Sequence, residues 1–268
     1  MVNSLRTLIL PAFDTLESLP SEYAAWTDQL SVVEHLSLRG LDHSLAITDR
    51  SIGIVPTGIG KSNAATTVAT LCANPAVDLD DTLIMTVGVA GGRPSLSIGD
   101  VVVSSAVVDW DRKCRYDSGD DSIPLKINPY TEAGVFELNE NLIRVTDRLV
   151  SESDSCHTES VHIGTNVCGD ELWHGAETAH HVQWLVEQHG LDSYLITEME
   201  DFGTATGLER HNRLSQYLSI RGISNFDRPI DETSASENMF SDGFEAGFQI
   251  AISNAVSVAQ LVIADYNT

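Results

Sequence analysis

Short apolar runs alternate with longer stretches in which apolar positions recur three and four residues apart. The first pattern reads as strand and the second as helix. Leu5 to Leu10 is apolar and stops at Pro11, which predicts an opening strand, and Glu22 to Leu30 predicts a short helix. Leu45 to Thr48 and Ser51 to Pro56 have strand character, and Gly58-Ile-Gly-Lys opens a helix over Ser62 to Ala73. Thr82 to Val87 is a continuous apolar run, as expected of a strand buried on both faces. Asp100 to Val108, Ser160 to Val167 and Gln216 to Ser224 complete the predicted strands. Asn139 to Ser151, Ala176 to Gln188 and Met199 to Leu214 are the middle helices, and the polar residues 111 to 134 read as a loop. Phe244, Phe248, Ala251, Ala255, Val258 and Val262 mark one apolar face of a C-terminal helix.

Strands alternating with helices define an α/β fold with a largely parallel or mixed sheet. No linker divides the 268 residues, so one domain over 1–268 is expected. The most apolar stretch, Ile250 to Ala264, carries Ser253, Asn254, Ser257 and Gln260. It falls short of the roughly 20 apolar residues of a membrane span, and no span is expected.

Charge changes this picture. The chain holds 39 acids against 15 bases, a net of −24, and the bases are 12 Arg and only 3 Lys. Such a field excludes nucleic acid and anionic membrane as partners. Acids scattered along the chain with little lysine suggest a protein suited to high salt, where repulsion is screened within a few Å; loss of folding on dialysis to low salt is the expected sign. Cys72, Cys114, Cys156 and Cys168 form no close pair, and the N-terminus lacks a secretory pattern. Reduced thiols and a cytoplasmic location are expected.

Some motifs are decoys. PTGIGKS, residues 56 to 62, has Val55 where a phosphate loop needs glycine and Asn63 where a dinucleotide fingerprint needs one. A glycine turn before a helix remains, either structural or open to an anion. His174, His180 and His181 lack further ligands for a metal. Three stretches carry chemistry instead: TVGVAGGRPSLSIGDVVVSS (86–105), TEMEDFGTATGLER (197–210) and the SNFDRP loop (224–229). Gly88, Gly91 and Gly92 are expected just past a buried strand end, where a ligand can approach backbone amides.

These stretches, with GIGKSNAA (58–65), TNVCGDELWHG (165–175) and the strand ending ISN (223–225), resemble the nucleoside phosphorylase and nucleosidase superfamily over nearly the whole chain. Within it, NPAVDLDDTLIMTVGVAGG (74–92), GVFELN (134–139), NFDRP and GFEAGF (243–248) look most like the purine nucleoside permease family. The resemblance implies a three-layer α/β/α fold around a central mixed sheet. It implies cleavage of the N-glycosidic bond of a purine nucleoside, by water or by phosphate, without a metal or cofactor, in a homo-oligomer. The alternative is a soluble nucleoside-binding protein coupled to uptake, with weak or no catalysis.

The resemblance also implies roles. Glu200 would grip the ribose hydroxyls, with Met199 against the sugar. Trp173 or Phe226 would stack on the base. Gly88, Val89, Gly91 and Arg93 would line the nucleophile pocket. Phosphorylases carry arginine and a hydroxyl residue where this chain has Thr86 and Val89, which favours water over phosphate; Arg93 and Arg221 are left as compensating cations. Glu17, with Asp14 next, matches the glutamate that activates water. Asn225 suits a 6-oxopurine, since its amide both donates and accepts. Asp227 is the rival contact, as a carboxyl kept protonated by burial.

Overall fold

A computed structural model describes residues 2–16, 19–115, 125–131, 134–153, 161–228 and 242–266. The first half runs β1 (Asn3–Ser4), β2 (Thr7–Leu10), α1 (Ala24–Thr27), β3 (Val32–Leu36), β4 (Leu45–Thr48), β5 (Ile52–Ile54), α2 (Lys61–Ala73), β6 (Val77–Asp78), β7 (Leu83–Gly92) and β8 (Val101–Asp109). The second half runs β9 (Lys113–Arg115), β10 (Leu125–Ile127), β11 (Val135–Glu137), α3 (Glu140–Glu152), β12 (Val161–Cys168), α4 (Ala176–Gln188), β13 (Tyr194–Glu198), α5 (Asp201–Arg210), β14 (Tyr217–Phe226) and α6 (Asp242–Tyr266).

The main sheet is mixed and runs β11-β8-β12-β13-β7-β2-β5-β4-β3. β14 lies parallel to β7 and antiparallel to β8. Since β8 pairs with β12, β12 with β13 and β13 with β7, these five strands close on themselves. Continuous apolar sequence suits such strands: Leu83 to Val87 and Val101 to Val103 are fully or almost fully buried. The flanks are read from β14, where successive side chains point to opposite faces. Arg221 reaches the start of α5, and a Cβ on Gly222 would strike the backbone of Ala251 in α6. Helices α5 and α2 therefore cover one face and α6 the other, giving the three layers expected.

Local chemistry sets the helix starts. Asn139 caps α3 by accepting from the amides of Asn141 and Leu142 at 2.9 and 3.3 Å. Gly58 and Gly60, with φ of 81° and 96°, make the left-handed turns before α2 that side chains disfavour.

Four expectations change. Glycines 88, 91 and 92 lie within β7 rather than past its end. Residues 113–115 and 125–127 pair as a short antiparallel ladder inside the expected loop. Val32–Leu36, mostly exposed, and Tyr194–Glu198 are additional strands. The C-terminal helix is 25 residues long, and Gly247–Tyr266 is long and apolar enough, by length and composition, to cross a membrane. Within the fold, 56% of its apolar window is buried. Phe248, Ala251, Ala255 and Val262 face the sheet, which gives the apolar side a packing role.

Candidate active site

The C-terminal ends of β7, β12, β13 and β14, and the turn after β2, converge on one cavity of ≈ 640 Å³. Ligands gather at this edge in α/β sheets because strand ends leave a crevice lined with free backbone groups. Apolar residues, among them Phe13, Leu19 and Phe248, form one part of the wall. Carboxylates, an arginine and an amide form another.

Glu22 stands just before α1 and is 1% exposed. One carboxylate oxygen accepts from the Ala12 amide at 2.7 Å and the other from the Val89 amide at 2.9 Å. The approach depends on Gly88, where a Cβ would collide with that carboxylate. Burial pushes the Glu22 carboxyl above the usual range, against the pull of Arg221 and the two amides.

The floor is a knot of charge. Arg221, 2% exposed, contacts Asp201 most closely, Glu198 at 3.0 Å and Glu200 at 3.4 Å. Glu198 Oε2 also accepts from the amides of Glu200 and Asp201 at 2.7 and 2.9 Å, which ties the end of β13 to the start of α5. One guanidinium cannot neutralise three buried carboxylates. Burial and the neighbouring acids raise Glu198 to about 8 and Glu200 to about 7, with Arg221 opposing both. Glu200 Oε1 also accepts from the Gly60 amide at 3.1 Å, and Asp170 accepts from the Lys61 amide at 2.8 Å. The glycine turn before α2 thus binds the protein's own carboxylates. The Lys61 ammonium is held by Asp109 and Asp111 at 2.5 and 2.6 Å.

Another part of the cavity is neutral. The Asn225 side-chain oxygen accepts from Ser224 Oγ at 2.9 Å, and its NH₂ donates to the Phe226 carbonyl at 3.3 Å. One N–H of that group remains to serve a ligand. Trp173 lines the wall and tilts against Trp110, with ring centroids 6.4 Å apart.

The expected residues do not all gather. Met199, Glu200, Trp173, Val89, Gly91, Asn225 and Asp227 line the cavity. Gly88 lies beneath it as the seat of Glu22. Arg93 turns away, its guanidinium 5.1 Å from the centre of the Tyr194 ring. Phe226 is outside the lining. Asp227 is engaged within the protein rather than open to a ligand: it accepts from Tyr194 Oη at 2.6 Å and forms a salt bridge with Arg228 at 2.7 and 3.0 Å. Thr86 bonds Tyr217 Oη at 2.7 Å inside the core. Glu17 lies outside the described residues.

The sequence profile of the purine nucleoside permease family matches residues 4–154 and 148–266. The chain belongs to the purine nucleoside permease family. A purine nucleoside permease of Candida albicans is 25% identical over 90% of this chain and 71% of its own length. A probable purine nucleoside permease of Schizosaccharomyces pombe is 23% identical over 87% of this chain and 83% of its own. Solved structures establish the fold. A 5′-methylthioadenosine/S-adenosylhomocysteine nucleosidase of Neisseria meningitidis, in complex with methylthio-immucillin-A, superposes with a TM-score of 0.69 at 18% identity, covering 97% of this chain and 100% of its own. A futalosine hydrolase of Helicobacter pylori gives 0.67 at 18%, covering 97% and 98%. This member of the permease family thus has the nucleoside phosphorylase and nucleosidase architecture.

Sequence reasoning missed Glu22, Glu198 and Asp201. The first loop offers several acids, and nothing local marks Glu22; its partner amide is 67 positions away. Glu198 and Asp201 flank a motif that was read only through Met199 and Glu200. Two further acids beside a helix start, with an arginine on a nearby buried strand, were the available signal.

Proposed function

We propose that this protein cleaves the N-glycosidic bond of a purine nucleoside and that water is the nucleophile. The observation that carries the reading is Glu22. Its carboxylate occupies the amide of Val89 in β7, on the cavity wall, where an incoming anion would otherwise dock. Arg221 is committed to three carboxylates and Arg93 points elsewhere. A phosphate would meet negative charge without a free arginine.

Glu22, raised by burial, is suited to take a proton from water as it attacks the anomeric carbon. Glu200 accepts from the ribose hydroxyls and balances positive charge developing on the sugar. Met199 packs against the sugar, and Trp173 offers a face to the base. The free N–H of Asn225 donates to purine N7 as the bond breaks. A neutral amide cannot deliver a proton, so the base must leave as a stabilised anion. A 6-oxopurine spreads that charge onto its oxygen, which favours inosine and guanosine over adenosine. Asp227, engaged by Tyr194 and Arg228, supports the Asn225 loop rather than the chemistry.

The test is incubation with inosine, with and without phosphate, followed by product analysis. Hypoxanthine with free ribose, at a rate independent of phosphate, is expected. Strict phosphate dependence with ribose 1-phosphate as product overturns hydrolysis. The permeases named among its relatives motivate a second reading, a nucleoside-binding protein coupled to uptake. Saturable inosine binding with no base released favours that reading.

A further inference from the structure

We propose that Asp201 is a positioning residue that holds the Arg221 guanidinium off Glu200, so that the Glu200 carboxylate stays open to the ribose hydroxyls. The inference rests on the nucleoside reading of the cavity. Asp201 is fully buried and is not part of the cavity wall, so it acts only through its neighbours. Its Oδ1 takes Arg221 Nη2 in the closest of that arginine's contacts. Its Oδ2 accepts from Asn166 Nδ2 at 2.8 Å and from Ser219 Oγ at 2.5 Å. Ser219 bonds onward to Ser104 at 2.9 Å, so the carboxylate is fixed from β8, β12 and β14 together.

Glu200 is held loosely by comparison. Arg221 Nη1 lies 3.4 Å from its Oε2 and equally far from the Val89 carbonyl, and Gly60 N lies 3.1 Å from its Oε1. A carboxylate has about four acceptor sites, so each oxygen keeps one for a hydroxyl. A side-on Arg221–Glu200 pair would form two strong bonds and use both oxygens. Asp201 prevents it by binding the same guanidinium more tightly from a rigid seat.

The charged groups facing Glu200 are Glu22 from the loop after β2, Arg221 from β14, and Glu198 and Asp201 on either side along the chain. Removing the Asp201 charge lets Arg221 turn to Glu200 and lowers the pH at which Glu200 ionises. Inosine binding by calorimetry across pH, with hydrolysis measured in parallel, tests this on wild type, Asp201→Asn and Ser219→Ala. Asp201→Asn is expected to weaken inosine binding about tenfold and to move the acid limb of binding to lower pH. Ser219→Ala is expected to do the same to a smaller extent, and it carries the test if Asp201→Asn does not fold.

Wild-type affinity and an unmoved acid limb in both variants overturn the proposal. Weakened binding with an unmoved limb also overturns it, since a purely structural role has that signature. A wild type that neither binds nor cleaves inosine removes the nucleoside reading itself, and this inference with it.

Discussion

Glu22 and Val89 are joined across the mouth of the sheet: a carboxylate from the first loop accepts the amide of the central strand at 2.9 Å. The contact sets a buried acid on the wall of the cavity, and in the proposed hydrolysis that acid takes the place of an anionic reactant. On that proposal, the choice of nucleophile hangs on one side chain.

Replacing Glu22 with Gln removes the base and keeps only one of the two amide contacts, since the new NH₂ cannot accept from a backbone N–H. The turnover rate on inosine is expected to fall about a hundredfold or more, with KM within a few-fold of wild type. Steady-state kinetics checks it, and a variant as fast as wild type would exclude Glu22 as the base.

Two glycines separate activity from stability. At Gly88 the atoms nearest an added methyl are the end of the Glu22 side chain, so Gly88→Ala is expected to lose activity as Glu22→Gln does. Its stability cost should stay near 1 kcal/mol, the usual size for a change that a side chain can absorb. At Gly222 the methyl meets the backbone of Ala251, which cannot swing aside. Gly222→Ala should cost about 1–3 kcal/mol or more, as overpacking does. Thermal unfolding of the two variants, beside their activities, checks the contrast.

Asn225→Asp places an ionisable group at the proposed base contact in the cavity wall. Activity on adenosine relative to inosine is expected to rise, most at acidic pH, where the new carboxyl can carry a proton. Competition between the two nucleosides at several pH values measures it. An unchanged ratio would argue that Asn225 does not touch the base.

Glu198 and Glu200 predict an unusual pH dependence of stability. Burial first, then neighbouring acids, raise them from 4.5 to about 8 and about 7. A raised carboxyl binds its proton more tightly folded than unfolded. Its contribution is therefore complete below pH 4.5 and fades as pH climbs towards 8. Glu198→Gln removes the larger of these two shifts. The fall in melting temperature between about pH 5 and 8 should be shallower in the variant than in wild type. Parallel slopes would show that Glu198 does not titrate in that window.

Much of the fold was readable from the chain. β4 and α4 coincide with their expected spans because burial on both faces, or on one helical stripe, writes itself into the residue pattern. Val32–Leu36 was not readable, since an exposed edge strand has no apolar code. Glycines 88, 91 and 92 looked like a loop because their role is to admit Glu22, Asn225, Thr197 and Ile223 from distant segments.

The sequence by itself determined the alternation of strands and helices, the excess of acid, and the motifs containing Glu200 and Asn225. Local periodicity and composition carry that information. Tertiary structure decided that Glu22 reaches the Val89 amide, which carboxylate holds Arg221 most closely, and that Asp227 is engaged by Arg228 and Tyr194. Each of those outcomes is a competition among like groups for one partner. Distance and burial settle such competitions, and both arise only when remote strands close into a sheet.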